Sequence, residues 1–346
     1  MFVPTDDLFA HQLVAPHVRV QLNDPSWAER AFFTVSHPDR LALDFGVSMY
    51  PNNDVLEAYA VLALPGDRQV SMRAARDLEQ GRWPLQVGPL RAEILEPLKR
   101  WRLVSEPSPS GLEIDLVYEA RSRPYETKMP TLHRRGRLVY DNVIAFQPGR
   151  FTGTVGLRGE SFELDGLPGN RDRSWGVRSS GEGRIARGLV CTLFAEFDDL
   201  SILAMMYERY DGTPVKHAGA VSHDGGEVVP LVEFHHELEF DHDSRQLRAA
   251  RIELTDAEGE TWTVTGSPSF RLFLAGGGYT SDEHRRGQLG VPFWTEDWDL
   301  TDPDLVRRID NLNDNVCHLS CGERRGHGIV ETLLGQHDRY AVAPLL

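Results

Sequence analysis

The chain has 346 residues, 40% of them hydrophobic, with 52 acidic against 37 basic side chains and a formal charge of -15 at pH 7. That length can bury a sizeable interior and suits two domains, while the acidic balance repels a phosphate backbone, so no nucleic-acid partner is expected. No apolar run reaches a membrane span, MFVPTDDLFAHQ lacks the basic start of a secretory signal, and Cys191, Cys317 and Cys321 are too few and too odd for a disulfide framework, so a cytoplasmic setting is expected.

In chain order, residues 71–80 (SMRAARDLEQ) read as a short helix. LRAEILEPLKRWRLV reads as two strands bent at Pro97, joined by the turn-rich EPSPSG to GLEIDLVYEAR. In that last segment Leu112, Ile114, Leu116 and Tyr118 share one face opposite Glu113, Asp115 and Glu119, the period of a half-buried strand. FTGTVGLRGESFELDGLPGNRDRSWGVR is a strand, a turn and a second strand. RGLVCTLFAEFDDLSILAMMYERYDG is a hairpin turned at Asp198 and Asp199, and ARIELTDAEGETWTVTG is another turned at DAEG. TDPDLVRRIDNL starts a short helix, with Asp302 as N-cap and Pro303 in the first turn. The balance is all-β with one or two short helices, in two consecutive β-units divided near Phe151–Leu164 and packed together.

The densest chemistry lies in GNRDRSWGVR, Gly169 to Arg178. An extended Asn170–Trp175 points Arg171, Arg173 and Trp175 one way and Asp172 and Ser174 the other. Two guanidiniums beside an indole make a cation–π stack that either holds a ligand or closes a barrel end, and the arginine–aspartate pairs read equally as a structural network. EFHHELEFDHD holds His235, His236 and His242, but neighbours on a strand face opposite sides, so surface histidines are expected there and no metal site. In CHLSC, Cys317 and Cys321 lack a second ligand pair and read as buried thiols. LFLAGGGYTSDEHRRGQLGVPFWTEDWDL brings Tyr279, Phe293, Trp294 and Trp298 beside three glycines, as a rim over an apolar cavity or as a plug between the two units.

The run G-x-R-D-x-S-W-G-x-R, its hairpin lead-in GRFTGTVGLRGESFELDG and the C-terminal GHGIVETLLG with Glu331 resemble the AttH-like and carotenoid 1,2-hydratase superfamily; PNND at Pro51–Asp54 is loosely similar to a motif of its uncharacterised members. The resemblance implies a tandem pair of lipocalin-like antiparallel β-barrels: an N-terminal domain over 1–160 and a C-terminal domain over 161–346 carrying RDRSWGVR. It also implies a cofactor-independent hydratase, isomerase or cyclase acting on an apolar, isoprenoid-like or polycyclic small molecule; a non-catalytic carrier of a hydrophobic metabolite is the alternative.

In the hydratases of that family a histidine and a tryptophan of the motif are catalytic; the matching positions here are Arg173 and Trp175. Arginine does not exchange a proton near neutral pH. Proton transfer is therefore expected of Asp172, Tyr207 and Glu331, with Trp175 stabilising developing positive charge. Arg171, Arg173, Arg178, Tyr279 and Trp294 are the expected ligand-binding residues. Asp211, after Tyr207, stands where the family keeps an acid.

Overall fold

The computed structural model describes residues 2–11, 23–78, 81–127, 131–178, 188–279, 286–290 and 292–344. A first curled sheet begins with β1 (Trp27–His37), β2 (Leu41–Tyr50), β3 (Val55–Leu64) and β4 (Arg68–Asp77). It continues with β5 (Leu85–Val87), β6 (Leu90–Glu96), β7 (Arg100–Ser105), β8 (Leu112–Ala120), β9 (Tyr125–Glu126) and β10 (Leu132–Arg134). The long hairpin of β11 (Arg137–Leu157) and β12 (Glu160–Arg178) completes its first pass. A closed eight-stranded barrel follows, from β13 (Leu189–Glu196), β14 (Leu200–Glu208), β15 (Pro214–His223), β16 (Val228–Phe240), β17 (Leu247–Asp256) and β18 (Thr261–Phe273). The chain then returns to the first sheet as β19 (Phe293–Asp299), which pairs with β4. It finishes through α1 (Pro303–Ile309) and the last barrel strands, β20 (Asn313–Cys321) and β21 (Arg324–Leu334).

The architecture is all-β, as the period-two patterning predicts, and lipocalin-like, as the resemblance implies. The helix start is also as read: the Asp302 side chain accepts a hydrogen bond from Asp304 N at 3.0 Å. Residues 71–78 are not helical, and 79 and 80 lie outside the described residues. Val70, Met72 and Ala74 alternate into the core while β4 pairs with β3 along its length, and that pairing overrides the helical leaning of Ala, Arg, Leu and Glu. The expected division at 160/161 falls at the start of β12, just past the turn of the β11–β12 hairpin, whose hydrogen bonds keep both strands, and RDRSWGVR with them, on the first sheet; the barrel strands begin at Leu189.

Each unit has its own core, Phe33, Phe45, Trp101, Tyr118 and Phe151 within the curl and Leu193, Met206, Val264 and Cys317 within the barrel. The outer face of the first sheet packs on the barrel wall, with β3 against β18, β1 against β20 and β21, and β12 against β13. Two apolar seams join them: Tyr59 and Val61 with Phe270, Leu272 and Val316, and Ile144 and Phe146 with Phe194, Met205 and Ile329. Polar side chains occupy the strands between these seams.

Candidate active site between sheet and barrel

β12 lies between β1 and β11, with Asp172 opposite Phe32 and Phe146, and Arg178 opposite Tyr140. Side chains alternate faces along a strand, so consecutive motif residues serve different environments. Gly176 has a φ of 128°, and a Cβ there would come within 2.2 Å of Asp141 O; the glycine is what lets β11 close on β12.

Arg171, Arg173 and Trp175 face the inside of the curl. Arg171 Nη1 donates to both oxygens of Asp7, at 2.8 and 2.9 Å, and Arg171 Nη2 donates to Gln147 Oε1 at 2.7 Å. The same Asp7 carboxylate accepts from Trp101 Nε1 at 3.1 Å. Arg173 pairs with Glu29 at 2.6 Å and sits 4.4 Å from the Phe9 ring and 5.3 Å from Trp175. Burial opposes charge on Glu29, but the hydrogen bond from His11 and the charge of Arg173 bring its pKa below the usual value. Trp175 stacks on His11 with ring centres 3.8 Å apart. These three side chains, expected at a reaction or ligand site, clamp the segment Pro4–His11 into the end of the curl. That removes them from the barrel-facing surface.

The opposite face of β12 meets the barrel. Asp172, Tyr140, Tyr207 and Glu331 are half-buried among the described residues. Asp172 and Arg178 come from β12, Tyr207 from β14, and Glu331 from β21, opposite Thr192. Burial raises the pKa of Asp172, with Arg178 and Arg30 pulling the other way; Asp172 Oδ1 is buried without a hydrogen-bond partner among the described residues. Burial likewise lifts Glu331 to about 6, opposed by the Thr192 hydroxyl and Arg178. Burial opposes charge on Arg178, but the charges of Tyr140, Tyr279, Tyr207 and Asp172 bring its pKa above the usual value. Tyr279 lies 4.5 Å under the Arg286 guanidinium. Trp294 is half-buried on the edge strand β19, opposite Arg73; residues 280–285 and 291 of the expected rim lie outside the described residues. Asp211 is in an exposed turn, accepting from Thr213 N at 2.9 Å.

The sequence reading missed Lys216, which β15 sets opposite Tyr207. Its amine donates to Thr127 Oγ1 at 3.0 Å, and burial depresses its pKa to about 7, Asp172 opposing and Arg178 adding to the fall. The signal was present: the turn signal YDGTP after Tyr207 folds β15 back on β14 and brings the lysine across. Tyr140 was missed for want of any motif around it.

A second polar cluster lies at the barrel mouth, beside a cavity of about 560 Å³ lined by Glu208, His217, Phe234, His236, Arg251 and Arg339 among others. Glu208 accepts from His236 Nε2 at 2.9 Å, His337 Nε2 at 3.1 Å and Arg339 Nη2 at 2.8 Å. His236 is thus buried and bonded, not a surface histidine, because β14 and the C-terminal segment bring it partners distant in sequence. His337 Nδ1 accepts from Arg339 N, which leaves its Nε2 protonated and unfit to bind a metal. Among the described residues no group of three or more His, Cys, Asp or Glu side chains is arranged to hold a metal ion. No helix among them is long and apolar enough to cross a membrane.

The all-β pair of curl and closed barrel is a lipocalin-like fold. The chain belongs to a family of unknown function, DUF8625, whose pattern matches residues 2–343. It is similar to an AttH-type protein from Nitrosomonas europaea, 13% identical over 94% of this chain and 98% of that one, with a TM-score of 0.52. CghA solved with Sch210972 is 12% identical over 90% and 89% of the two chains, at 0.51. Kievitone hydratase from Nectria haematococca aligns over 95% of both at 10% identity, but its TM-score of 0.42 is too low to argue from. No curated protein matches the sequence.

Proposed function

We propose that the protein is a cofactor-independent enzyme that moves protons on an apolar small molecule with one oxygenated end, bound in the sheet–barrel cleft. The outcome is addition or loss of water, isomerisation or cyclisation of an isoprenoid-like or polycyclic compound. The observation that carries this is the pair Asp172 and Glu331: two carboxyls on different walls, both lifted by burial toward the range where a group gives and takes protons at neutral pH. Asp172 is the acid, with Glu331 as the second proton carrier. Tyr207 and Tyr140 donate to an oxygen that gains charge, and Arg178 holds it.

One observation favours the carrier reading: the motif positions that match the hydratases' catalytic pair, Arg173 and Trp175, face away from the cleft. Incubation with an apolar metabolite extract in ¹⁸O-labelled water separates the two. Labelled products support hydration, and unlabelled isomers support isomerisation or cyclisation. A compound that co-purifies unchanged, with no product absent from an Asp172→Asn, Glu331→Gln double variant, leaves only the carrier.

A further inference from the structure

The chain contains three lysines and thirty-four arginines. Lys99 is on the surface, 3.1 Å from Glu96, and Lys128 lies outside the described residues. Lys216 is buried, 3% exposed, in the wall of the cleft. Where only a cation is wanted this sequence uses arginine. What lysine alone provides is an amine that can lose its proton and attack carbon.

The surroundings fit that use. A charged amine has three N–H donors, yet among the described residues the one hydrogen bond of Lys216 goes to Thr127 Oγ1. The Tyr207 ring is 5.8 Å from Nζ. The charged groups that face the amine are Asp172 and Arg178, both from β12. A desolvated lysine beside another cation is the setting in which the neutral amine becomes available as a nucleophile, and its fall to about 7 agrees.

We propose that Lys216 captures a carbonyl ligand in the cleft as a Schiff base, which makes the substrate class an apolar, unsaturated aldehyde or ketone. The neutral amine forms a bond to the carbonyl carbon while the C=O π pair moves to oxygen, and a proton shifts from nitrogen to that oxygen. The Asp172 carboxyl then donates a second proton, the oxygen leaves as water, and the nitrogen lone pair closes a protonated C=N bond. No oxidant or reductant is needed. The cationic imine withdraws electrons from a conjugated double bond, which activates it toward water, isomerisation or ring closure. This deepens the proposed function and rests on the cleft being a reaction site.

The test uses the full chain with cinnamaldehyde and sodium cyanoborohydride at pH 7, read by intact mass and peptide mapping. The expected result is a reduced adduct on Lys216, counted apart from any on the N-terminal amine and formed about tenfold or more faster than any on Lys99, because an ordinary lysine is almost wholly protonated at that pH. In Lys216→Arg the adduct on that peptide disappears; should this variant fold poorly, the mapping on the unaltered chain decides alone. No label on Lys216, or labelling of Lys99 at an equal rate, overturns the proposal. Conversion of a carbonyl compound without label on Lys216 refutes the amine's role and leaves the acid–base reading intact. Label on Lys216 in a chain that converts nothing upholds capture and sinks the reaction.

Discussion

Asp44 on β2 and Asp314 on β20 lie buried across the seam between sheet and barrel, each within the other's field. Burial pushes both pKa values up: Asp44 to about 7, against hydrogen bonds from Thr34 and Asp314, and Asp314 further still, with the charges of Asp44 and Glu331 adding to it. At neutral pH the folded chain therefore holds protons that the unfolded chain has released.

The sign follows from that excess. A carboxyl raised in the folded state withdraws stability as pH climbs from its unfolded value near 4 through its folded value, the reverse of the usual surface carboxylate. The melting temperature should fall between pH 5 and 8 in the native chain, and Asp44→Asn should flatten the fall by an amount on the order of a few kcal/mol. Calorimetry across that range measures it; identical slopes for the two chains would refute the paired-carboxyl account.

If the cleft is catalytic, Asp172→Asn should lower kcat roughly 100-fold or more while the melting temperature changes little, since general acid–base groups contribute about 10² to 10⁴. Glu331→Gln should remove a step near pH 6 from the pH–rate profile. Unchanged profiles in both would place the chemistry elsewhere.

Asp7 has the opposite character. Removing its carboxylate leaves the Arg171 guanidinium buried without a counter-charge, so Asp7→Ala should cost about 3–5 kcal/mol in chemical denaturation. Trp175→Ala should cost less, about 1–3 kcal/mol, through loss of the stack on His11. Ligand turnover by the folded fraction should survive both. A Trp175 variant with native stability and lost turnover would return that residue to the reaction.

At the barrel mouth, Glu208 is held far below its usual pKa: burial opposes this, but the nearby His217 and the bonds from His236 and Arg339 prevail. That contribution is present above pH 4.5 and is lost as pH falls below it. In Glu208→Gln, limited proteolysis near Arg339 at pH 7 should speed up, because the segment holding His337 and Arg339 loses its anchor.

Much of this was legible in the sequence where the information is local. The two faces of β12, the hairpins and the Asp302 cap follow from period, turn residues and capping chemistry. What each face of β12 meets is not local: the partner of Arg171 is Asp7, 164 positions away, and no periodicity announces it. Nor does the sequence reveal that an isolated lysine after a turn enters the same cleft as Asp172, since strands from separate units must first pack. Asp172 and Arg178 lie on one face of β12, whereas Arg171, Arg173 and Trp175, one residue out of phase, join the N-terminal clamp on the other.

That phase is a constraint on descent. Deleting or inserting one residue between Asn170 and Arg178 would exchange the faces beyond the change, burying a carboxyl where a guanidinium belongs and turning the N-terminal clamp toward the barrel. Drift in length is tolerable only at the Arg158–Gly159 turn, outside the paired strands. Variation among descendants of this chain should thus be free in identity at several motif positions but rigid in their count, so parity along β12 is the inherited character.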